Sequence, residues 1–408
     1  MSIKLPHKSF CILPWVSLEA SPTGTVRPCC LADESIIDDD DLQCNLIDDT
    51  LEHIQDTKYM RKLRQKFLDG KRPKTCRKCW NEEDAGRTSK RMHTLNRLKH
   101  FDLPSKWTNK AHGLMFLDLK LGNICNLKCR ICGSWSSSTF AAEELQYVDN
   151  PKESFHYDML RQGRWPRENE NFWQNLWDIS EGIRYLEFTG GEPFMIKEHF
   201  EYLDWLVSNG LAPDIEIHYN TNGTQWPKKE YVKLWTYFKH VEIAFSIDNV
   251  GRKFEYERSG AIWHEVNENL EKFFELRNNV DNMSLQLCTT VNVFNVLYLE
   301  DVVKWEFFQM FDFVYWNMLH DAPANCIQAL PDIVKEEAAL RLLSADVPKE
   351  VKQEFVNIVT FMNESNGVEL ADVQKAITHL DQRRKESLQF SHPCLYEMLF
   401  NGKTCKET

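Results

Sequence analysis

Cysteine is the residue type that most directly indicates chemistry in this chain of 408 residues. The chain has 13 cysteines, and nine of them precede residue 133. Where a cell compartment keeps thiols reduced, such clustering favours metal binding or catalysis over disulfides. Two groups stand out by their spacing, one at residues 125–132 and one at residues 11–79. Three later cysteines are too scattered to be ligands and are expected to be ordinary thiols: Cys326, Cys394 and Cys405.

The central group, Cys125, Cys129 and Cys132, has the spacing C-x3-C-x2-C. Three thiolates on one short loop can bind three irons of a cubane [4Fe-4S] cluster, and thiolate is the ligand type that such clusters require. The fourth iron would then have no protein ligand and would be open to another molecule. The alternative is zinc, which usually takes four nitrogen or sulfur ligands. No fourth cysteine or histidine lies close by in the sequence.

The N-terminal group consists of four cysteines, Cys11, Cys29, Cys76 and Cys79. A β-hairpin that turns near Gly24 would bring Cys11 and Cys29 together, and the C-x2-C pair would complete a set of four sulfur ligands. Cys30 is an alternative to Cys29. Four thiolates suit either an iron–sulfur cluster or a structural zinc ion. A non-enzymatic, zinc-binding interaction protein is therefore the competing interpretation.

The elements that must position these cysteines alternate between strand and helix patterns, which indicates a parallel α/β architecture. Six strands are predicted, over residues 114–121, 183–189, 214–220, 241–247, 283–291 and 311–318. Helices are predicted over residues 136–147, 196–208, 227–238, 262–277 and 298–308. The chain is predicted to have three parts: a cysteine-rich domain at 1–110, the strand-bearing core at 111–325 and a helical segment at 326–408.

The predicted strands alternate polar and apolar side chains, whereas parallel strands in a filled barrel are almost continuously apolar. Side chains change face at every residue of a strand. If helices cover the apolar face, the polar face surrounds a wet cavity suited to a large substrate. A partly open antiparallel sheet would show the same alternation. The candidate cavity residues are Asp118, Lys120, Glu216, His218, Cys288, Tyr315 and Asn317.

The composition argues against two classes of partner. The 49 basic and 61 acidic residues give a net charge of −12, which opposes binding to a phosphate backbone. No apolar run approaches the roughly 20 residues that cross a bilayer, and the N-terminus lacks the long apolar stretch of a secretion signal. We therefore expect a cytoplasmic protein that binds neither nucleic acid nor membrane.

The C-x3-C-x2-C motif after the first predicted strand resembles the signature of the radical S-adenosylmethionine (SAM) superfamily. In that family a partial (β/α)6 barrel carries the motif, and SAM chelates the open iron through its amine and carboxylate. Gly190, Gly191 and Glu192 resemble the family's GGEP motif, which binds the SAM ammonium. The resemblance implies further SAM contacts at Ile131, Asn222, Ser246, Asp248, Arg258 and Asn292.

The N-terminal spacing, C-x12-G-x4-C followed by C-x2-C, resembles the twitch or SPASM auxiliary-cluster domains of radical SAM enzymes. Those domains usually follow the barrel, whereas this motif precedes it. The resemblance implies an auxiliary [4Fe-4S] cluster bound by the four N-terminal cysteines. Only Cys30 and Cys44 remain nearby for a second auxiliary cluster, so the one-cluster twitch form is expected.

Together the resemblances imply an oxidoreductase-like radical SAM enzyme. Such an enzyme takes an electron from an external donor such as flavodoxin or ferredoxin, cleaves SAM to a 5′-deoxyadenosyl radical and removes hydrogen from a substrate. The auxiliary cluster would accept an electron. A peptide or protein side chain is the favoured substrate, and dehydrogenation or epimerisation of a sugar or alcohol is the alternative.

Three residues on the predicted polar face are candidate catalytic residues, Cys288, His218 and Tyr315. His218 could act as a base, and a structural hydrogen bond is its other interpretation. Cys288 could donate a hydrogen atom to a product radical, as an epimerase requires. Its other interpretation is a buried and inert thiol.

Overall fold

The computed structural model describes residues 5–84, 88–101, 103–104 and 106–404. The chain forms two compact units. The first unit consists of Met1–Cys125, Ser134–Tyr219 and Pro227–Val241. The second unit consists of Asn126–Gly133, Asn220–Trp226 and Glu242–Thr408.

The first unit is built on strands in the order β2-β1-β3-β4-β5. Their bounds are β1 Ser17–Ala20, β2 Val26–Arg27, β3 Phe116–Lys120, β4 Tyr185–Thr189 and β5 Glu216–Thr221. Strand β1 pairs antiparallel with β2, and β1, β3, β4 and β5 pair parallel with one another in sequence. The predicted hairpin around Gly24 is therefore present. Its first strand also extends the parallel sheet, which the sequence interpretation did not foresee.

The helices of the first unit precede and follow these strands along the chain. Their bounds are α1 Leu13–Val16, α2 Leu51–Gln55, α3 Lys58–Leu68, α4 Arg77–Asp84, α5 Lys90–Leu98, α6 Ser138–Glu144, α7 Phe155–Gln162, α8 Trp165–Glu168, α9 Glu170–Asp178, α10 Lys197–Ser208 and α11 Lys229–Leu234. Several begin at a side-chain cap. Thr57 accepts a hydrogen bond from the Met60 amide at the start of α3, and Ser137 does the same for Phe140 at the start of α6. Such caps satisfy amides that have no partner inside the helix.

The first unit's sheet has one apolar and one polar face, as the alternation predicts. Four side chains in register form the apolar row, Leu18, Leu117, Leu186 and Ile217. All four are at most 1% exposed, so this face forms part of the core. One residue further along, four titratable side chains form what we call the polar row, Glu19, Asp118, Glu187 and His218.

The second unit contains three strands in the order β6-β7-β8. Their bounds are β6 His240–Ser246, β7 Met283–Val291 and β8 Phe313–Met318, and β7 and β8 pair parallel. Its helices are α12 Gly251–Glu257, α13 Trp263–Asn278, α14 Leu299–Lys304, α15 Asp332–Ser344, α16 Lys349–Met362, α17 Leu370–Arg384, α18 Leu388–Ser391 and α19 Pro393–Asn401.

The observed elements confirm the predicted fold class. Each of the six predicted strands is present with bounds that differ by at most two residues, and the C-terminal segment is helical. The predicted domain boundaries at residues 110 and 325 stay a prediction. Within the described residues, no helix has both the length and the hydropathy needed to cross a bilayer.

Candidate iron–sulfur and cofactor sites

The four N-terminal cysteines line one cavity in the first unit. They are Cys11, Cys29, Cys76 and Cys79. The wall of the cavity also includes Phe67, Trp80 and Arg91. Phe67 is fully buried and Trp80 is 6% exposed. The cavity is thus a sulfur-lined pocket with a largely apolar wall, which we call the four-cysteine pocket.

Local structure explains why these cysteines meet. The turn at Gly24 has φ +84°, and a Cβ there would lie 2.4 Å from Asn45 Oδ1, so the hairpin requires glycine. Helix α4 starts one residue after Cys76 and contains Cys79. The indole of Trp80 donates to the Pro73 carbonyl at 3.0 Å and fixes that helix start.

The electrostatics of the pocket fit a positively charged occupant. Burial, together with the nearby Cys11 and Cys79, raises the pKa of Cys29 to about 12. Burial, followed by Cys76, raises the pKa of Cys11 in the same way. Thiols that raise one another's pKa lie close together, and bound metal is what allows several thiolates to be buried side by side. In the described part of the chain no three metal-ligating side chains converge on a single-ion site. The four sulfurs instead share the wall of one cavity.

Cys30 leaves the four-cysteine pocket and faces the polar row. Burial raises the pKa of its thiol, and the charged groups that act on it include Lys90, Asp118 and Glu187. Cys44 is a buried free thiol that does not line the pocket. The structure therefore brings Cys29, rather than Cys30, to the other three sulfurs.

The polar row is a chain of ion pairs on neighbouring strands. Arg27 donates to both carboxylate oxygens of Glu19, at 2.8 and 2.9 Å. Lys120 also donates to Glu19, and its Nζ lies 3.7 Å from Asp118 Oδ1. Lys90 Nζ lies 3.3 Å from Glu187 Oε2.

The carboxyl groups of the polar row have pKa values shifted in opposite directions. Burial raises the pKa of Asp118 to about 6, and Glu187 and Glu19 add to this, although Lys120 and Lys90 oppose it. Burial acts on Glu187 as well, but the combined effect of Lys90, His218 and Lys120 lowers its pKa to about 2. Neighbouring carboxyl groups with separated pKa values are typical of functional sites.

The glycines of the GGEP motif pack on the backbone that leads to Cys125. The Gly191 amide donates to the Gly122 carbonyl at 3.1 Å, and the Glu192 amide donates to the Ile124 carbonyl at 2.8 Å. A Cβ on Gly191 would lie 2.3 Å from the Ile124 oxygen. The motif thus needs glycine for contact with the cysteine-bearing segment.

The second unit holds Ile131, Cys129 and Cys132 on the loop Asn126–Gly133. Arg258 donates from Nη1 to the Cys129 sulfur at 3.9 Å, and its Nη2 lies 2.7 Å from Asp248 Oδ2. Asp248 also accepts from the Thr290 amide at 2.9 Å. Burial raises the pKa of Cys129, and Arg258 opposes this rise. Through Arg258, the segment that follows β6 thus contacts Cys129, one of the predicted cluster ligands.

Charged residues of the C-terminal segment hold the same loop, and the sequence interpretation missed them. Arg130 is fully buried, and its Nη2 contacts Asp381 Oδ1 at 2.6 Å and Glu386 Oε2 at 2.5 Å. Its guanidinium stacks on Tyr256 at 3.6 Å. Arg384 donates to the Lys128 carbonyl at 2.8 Å. We call Arg130 with Asp381 and Glu386 the loop clamp.

The remaining predicted cofactor contacts in the second unit have mixed surroundings. Asn292 donates to Glu257 at 3.2 Å and to the Thr290 carbonyl at 2.9 Å, and its oxygen accepts from the Phe294 amide. Its amide group is thus engaged within the protein. Asn222 donates to Asn126 on the cysteine loop at 3.1 Å. Ser246, the last residue of β6, is partly buried.

The candidate catalytic residues are separated by the two units. His218 belongs to the polar row of the first unit, where Glu216 pairs with Lys239 at 2.8 Å. Cys288 and Tyr315 are register neighbours on β7 and β8 of the second unit, followed by Asn317 opposite Thr290. Tyr315 is 54% exposed. Burial raises the pKa of Cys288 to about 12.

The scattered cysteines do not all behave as expected. Cys326 is a buried free thiol. Cys394 is disulfide-bonded, so the expectation of an ordinary thiol is wrong there. Cys405 lies outside the described residues.

The chain thus combines a parallel α/β sheet, a C-x3-C-x2-C segment and a four-cysteine pocket. This combination is typical of iron–sulfur proteins. The sequence model of the Radical SAM superfamily matches residues 119–305, and that of an iron–sulfur cluster-binding domain named SPASM matches residues 11–80. The chain therefore contains a radical SAM domain and a SPASM-type domain. Its cofactors are a SAM-binding [4Fe-4S] cluster, an auxiliary iron–sulfur cluster and SAM.

Several solved structures are similar to this chain at low identity. A structure of anSMEcpe with bound AdoMet is 17% identical, covers 50% of each chain and has a TM-score of 0.32. Streptococcus suis SuiB bound to S-adenosylmethionine is 14% identical, covers 77% of this chain and 61% of that chain, and has a TM-score of 0.34. The chain thus spans about half the length of anSMEcpe. A search of curated proteins gave no match.

Proposed function

We propose that this enzyme removes hydrogen from a side chain of a peptide or protein and passes an electron to a single auxiliary [4Fe-4S] cluster. The observation that carries the proposal is the four-cysteine pocket. Four protein thiolates satisfy all four irons of a cubane and leave no iron open for SAM. A cluster held in this way is suited to electron transfer, which makes net oxidation of the substrate the expected outcome.

The residues divide this work between two sites. Cys125, Cys129 and Cys132 hold the first cluster, and Gly190, Gly191 and Glu192 lie against the segment that leads to it. When cluster and SAM are bound, they supply a carbon radical that can abstract hydrogen. Arg258 stabilises the Cys129 thiolate by its charge. The protein's part is to orient the cofactor and to exclude side reactions.

The number of auxiliary clusters follows from the sulfurs available. Four of the cysteines that the structure describes line the pocket, whereas Cys30 faces the polar row and Cys44 lies apart. One auxiliary cluster predicts about eight irons per chain, four in each cubane. About twelve irons after anaerobic reconstitution would contradict the one-cluster form. A colourless protein that contains zinc would contradict the enzyme interpretation.

Two cysteine variants test the division of roles. Cys125→Ala is expected to abolish SAM cleavage, because one of the three protein ligands of the SAM-binding cluster is lost. Cys76→Ala is expected to release some 5′-deoxyadenosine without product, because the electron acceptor is damaged. The measurement is 5′-deoxyadenosine release under strong reductant, together with mass spectrometry of candidate peptides.

Matched controls come from the same region. Cys30→Ala and Cys44→Ala remove thiols that lie outside the pocket, and both should keep the full iron content. Normal product formation by Cys76→Ala would contradict the electron-acceptor role. Loss of half the iron in Cys30→Ala would instead assign the fourth ligand to Cys30.

One observation favours epimerisation as a second candidate. Cys288 is a free, partly buried thiol on β7, in register with Tyr315 on the polar face, and a thiol can donate a hydrogen atom. An epimerase needs such a donor to quench a product radical. In deuterium oxide the product would then gain one deuterium at the inverted carbon, and Cys288→Ala would prevent this. Product oxidation without deuterium uptake contradicts this candidate.

A further inference from the structure

Polar oxygens without a hydrogen-bond partner are grouped on the polar face of the first unit's sheet. Ser17 Oγ, Asp118 Oδ1 and Thr189 Oγ1 are buried and have no hydrogen bond within the described residues. They lie on neighbouring strands β1, β3 and β4. Ser17 and Thr189 are each two residues from a member of the polar row, so all three share its face. A buried polar atom without a partner costs free energy, and three on one face indicate a missing ligand.

Asp118 is the centre of this group. Its residue is 3% exposed, and in register it lies between Glu19 and Glu187. Each of those carboxylates has a cation that donates a hydrogen bond to it, Lys120 for Glu19 and Lys90 for Glu187. Among the residues that the structure describes, the approach of Lys120 to Asp118 is longer, at 3.7 Å, and Asp118 Oδ1 has no hydrogen bond. One carboxylate oxygen in the row therefore remains available to accept a hydrogen bond.

The charges around Asp118 indicate an uncharged donor. Three carboxylates are balanced by three cations, and the formal sum is zero; the six residues are Glu19, Asp118, Glu187, Arg27, Lys90 and Lys120. An added ammonium would meet three cations, and an added carboxylate would meet three anions. A hydroxyl meets neither penalty and can donate its hydrogen to the open oxygen of Asp118.

The site is reachable and lies next to the four-cysteine pocket. The side chains of Lys90 and Lys120 are each 25% exposed, and that of Glu187 is 15% exposed. Cys30 interacts electrostatically with Asp118, and its chain neighbour Cys29 lines the four-cysteine pocket. A ligand at Asp118 would therefore be held close to the auxiliary cluster.

We infer that Asp118 is a substrate-binding residue that accepts a hydrogen bond from an uncharged hydroxyl of the substrate. The term substrate rests on the proposed function, whereas the binding experiment below does not require that the enzyme turns over. The hydroxyl can come from a peptide side chain or from a sugar. Ser17 and Thr189 lie on the same face, two residues to either side of Asp118 along the neighbouring strands, where they can meet other polar groups of the same substrate. The paired charges on either side of Asp118 exclude ionic groups from the hydroxyl site.

Probe binding to the reconstituted full-length enzyme with SAM tests the inference. N-acetyl-L-serinamide represents the peptide source and methyl α-D-glucoside the sugar source, while N-acetyl-L-alaninamide lacks the side-chain hydroxyl. Saturation-transfer NMR should detect at least one hydroxyl probe and not alaninamide. Asp118→Ala should weaken that binding by roughly tenfold or more, since the lost acceptor is charged. Asp204→Ala, at an exposed position of α10, should bind as the wild type does.

The pH profile adds a readout that a purely structural role would not change. Groups that face Asp118 are Glu19, Glu187, Lys90, Lys120 and Cys30. Probe binding should weaken as the pH falls through about 6, because protonation removes the charged acceptor. Asp118→Asn keeps the shape and an acceptor oxygen, so it should fold and bind weakly without this pH step.

The outcomes separate this inference from the proposed function. Absence of both hydroxyl probes, equal binding of alaninamide, or unchanged binding to Asp118→Ala would each overturn the inference. Release of 5′-deoxyadenosine is measured on the same samples. Its absence from the wild type would contradict the proposed function, whereas the binding results judge Asp118 by themselves.

Discussion

The two cysteine sites of this protein are held by different kinds of interaction. In the first unit, the four-cysteine pocket is enclosed by fully buried Phe67 and by Trp80. In the second unit, the cysteine loop is held by charge, through Arg130 and its two carboxylates and through Arg258 on Cys129. Packing encloses the pocket for which four thiolate ligands are predicted, whereas directional ion pairs hold the loop whose predicted cluster has one open iron.

Removing the carboxylates of the loop clamp should have the largest effect on stability. The double variant Asp381→Ala, Glu386→Ala leaves fully buried Arg130 without an ionic partner. Uncompensated buried charge costs about 3–5 kcal/mol, and urea unfolding measures this loss. The loop should also bind its cluster poorly, so about half of the iron should be lost while the four-cysteine pocket keeps its own.

A matched double variant in the same C-terminal segment provides the control. Glu350 and Asp372 are exposed on α16 and α17, and their change to alanine should cost less than about 1 kcal/mol. A loss of stability as large as that of the clamp variant would mean that the C-terminal helices are simply weak. A clamp variant with full iron content and normal SAM cleavage would show that charge does not position the loop.

Truncating Phe67, in the wall of the four-cysteine pocket, should destabilise the first unit through lost packing rather than through lost charge pairing. Phe67 lines the four-cysteine pocket and packs against Trp80 with ring centroids 6.2 Å apart. Phe67→Ala removes buried apolar volume and should cost about 3 kcal/mol. Because no charge is changed, the loss should be the same at low and high salt. Iron loss confined to the SAM-binding cluster would contradict the assignment of Phe67 to the pocket.

The sequence indicates candidate ligands more readily than it indicates the side chains that hold them in place. The spacing of Cys125, Cys129 and Cys132 and the strand ends that follow were recognisable because these patterns are local. The clamp was not, since Arg130 and Asp381 are 251 residues apart and no short pattern connects them. The sequence also could not decide whether Cys29 or Cys30 lines the pocket. Adjacent side chains point in different directions, and only the path of the chain after β2 decides which one enters the pocket.

The first unit is not held by packing alone, because it also contains the buried carboxyl group of Asp118. The folded protein raises the pKa of this carboxyl from its ordinary 3.8 to about 6. The stability that its protonated form contributes is complete below pH 4 and is lost as the pH rises through 6. Asp118→Asn should therefore stabilise the protein at pH 8 by up to about 3 kcal/mol and change little at pH 4.

Glu187→Gln supplies the comparison with the opposite sign. Its pKa is lowered to about 2, so the ionised carboxylate stabilises the fold above pH 4.5, and that stability is lost as the pH falls through 2. The glutamine variant should be less stable than the wild type at pH 8. Denaturant unfolding across this pH range measures both differences. If Asp118→Asn is also destabilising at pH 8, the carboxylate serves the fold, and no stability is being given up there for a ligand.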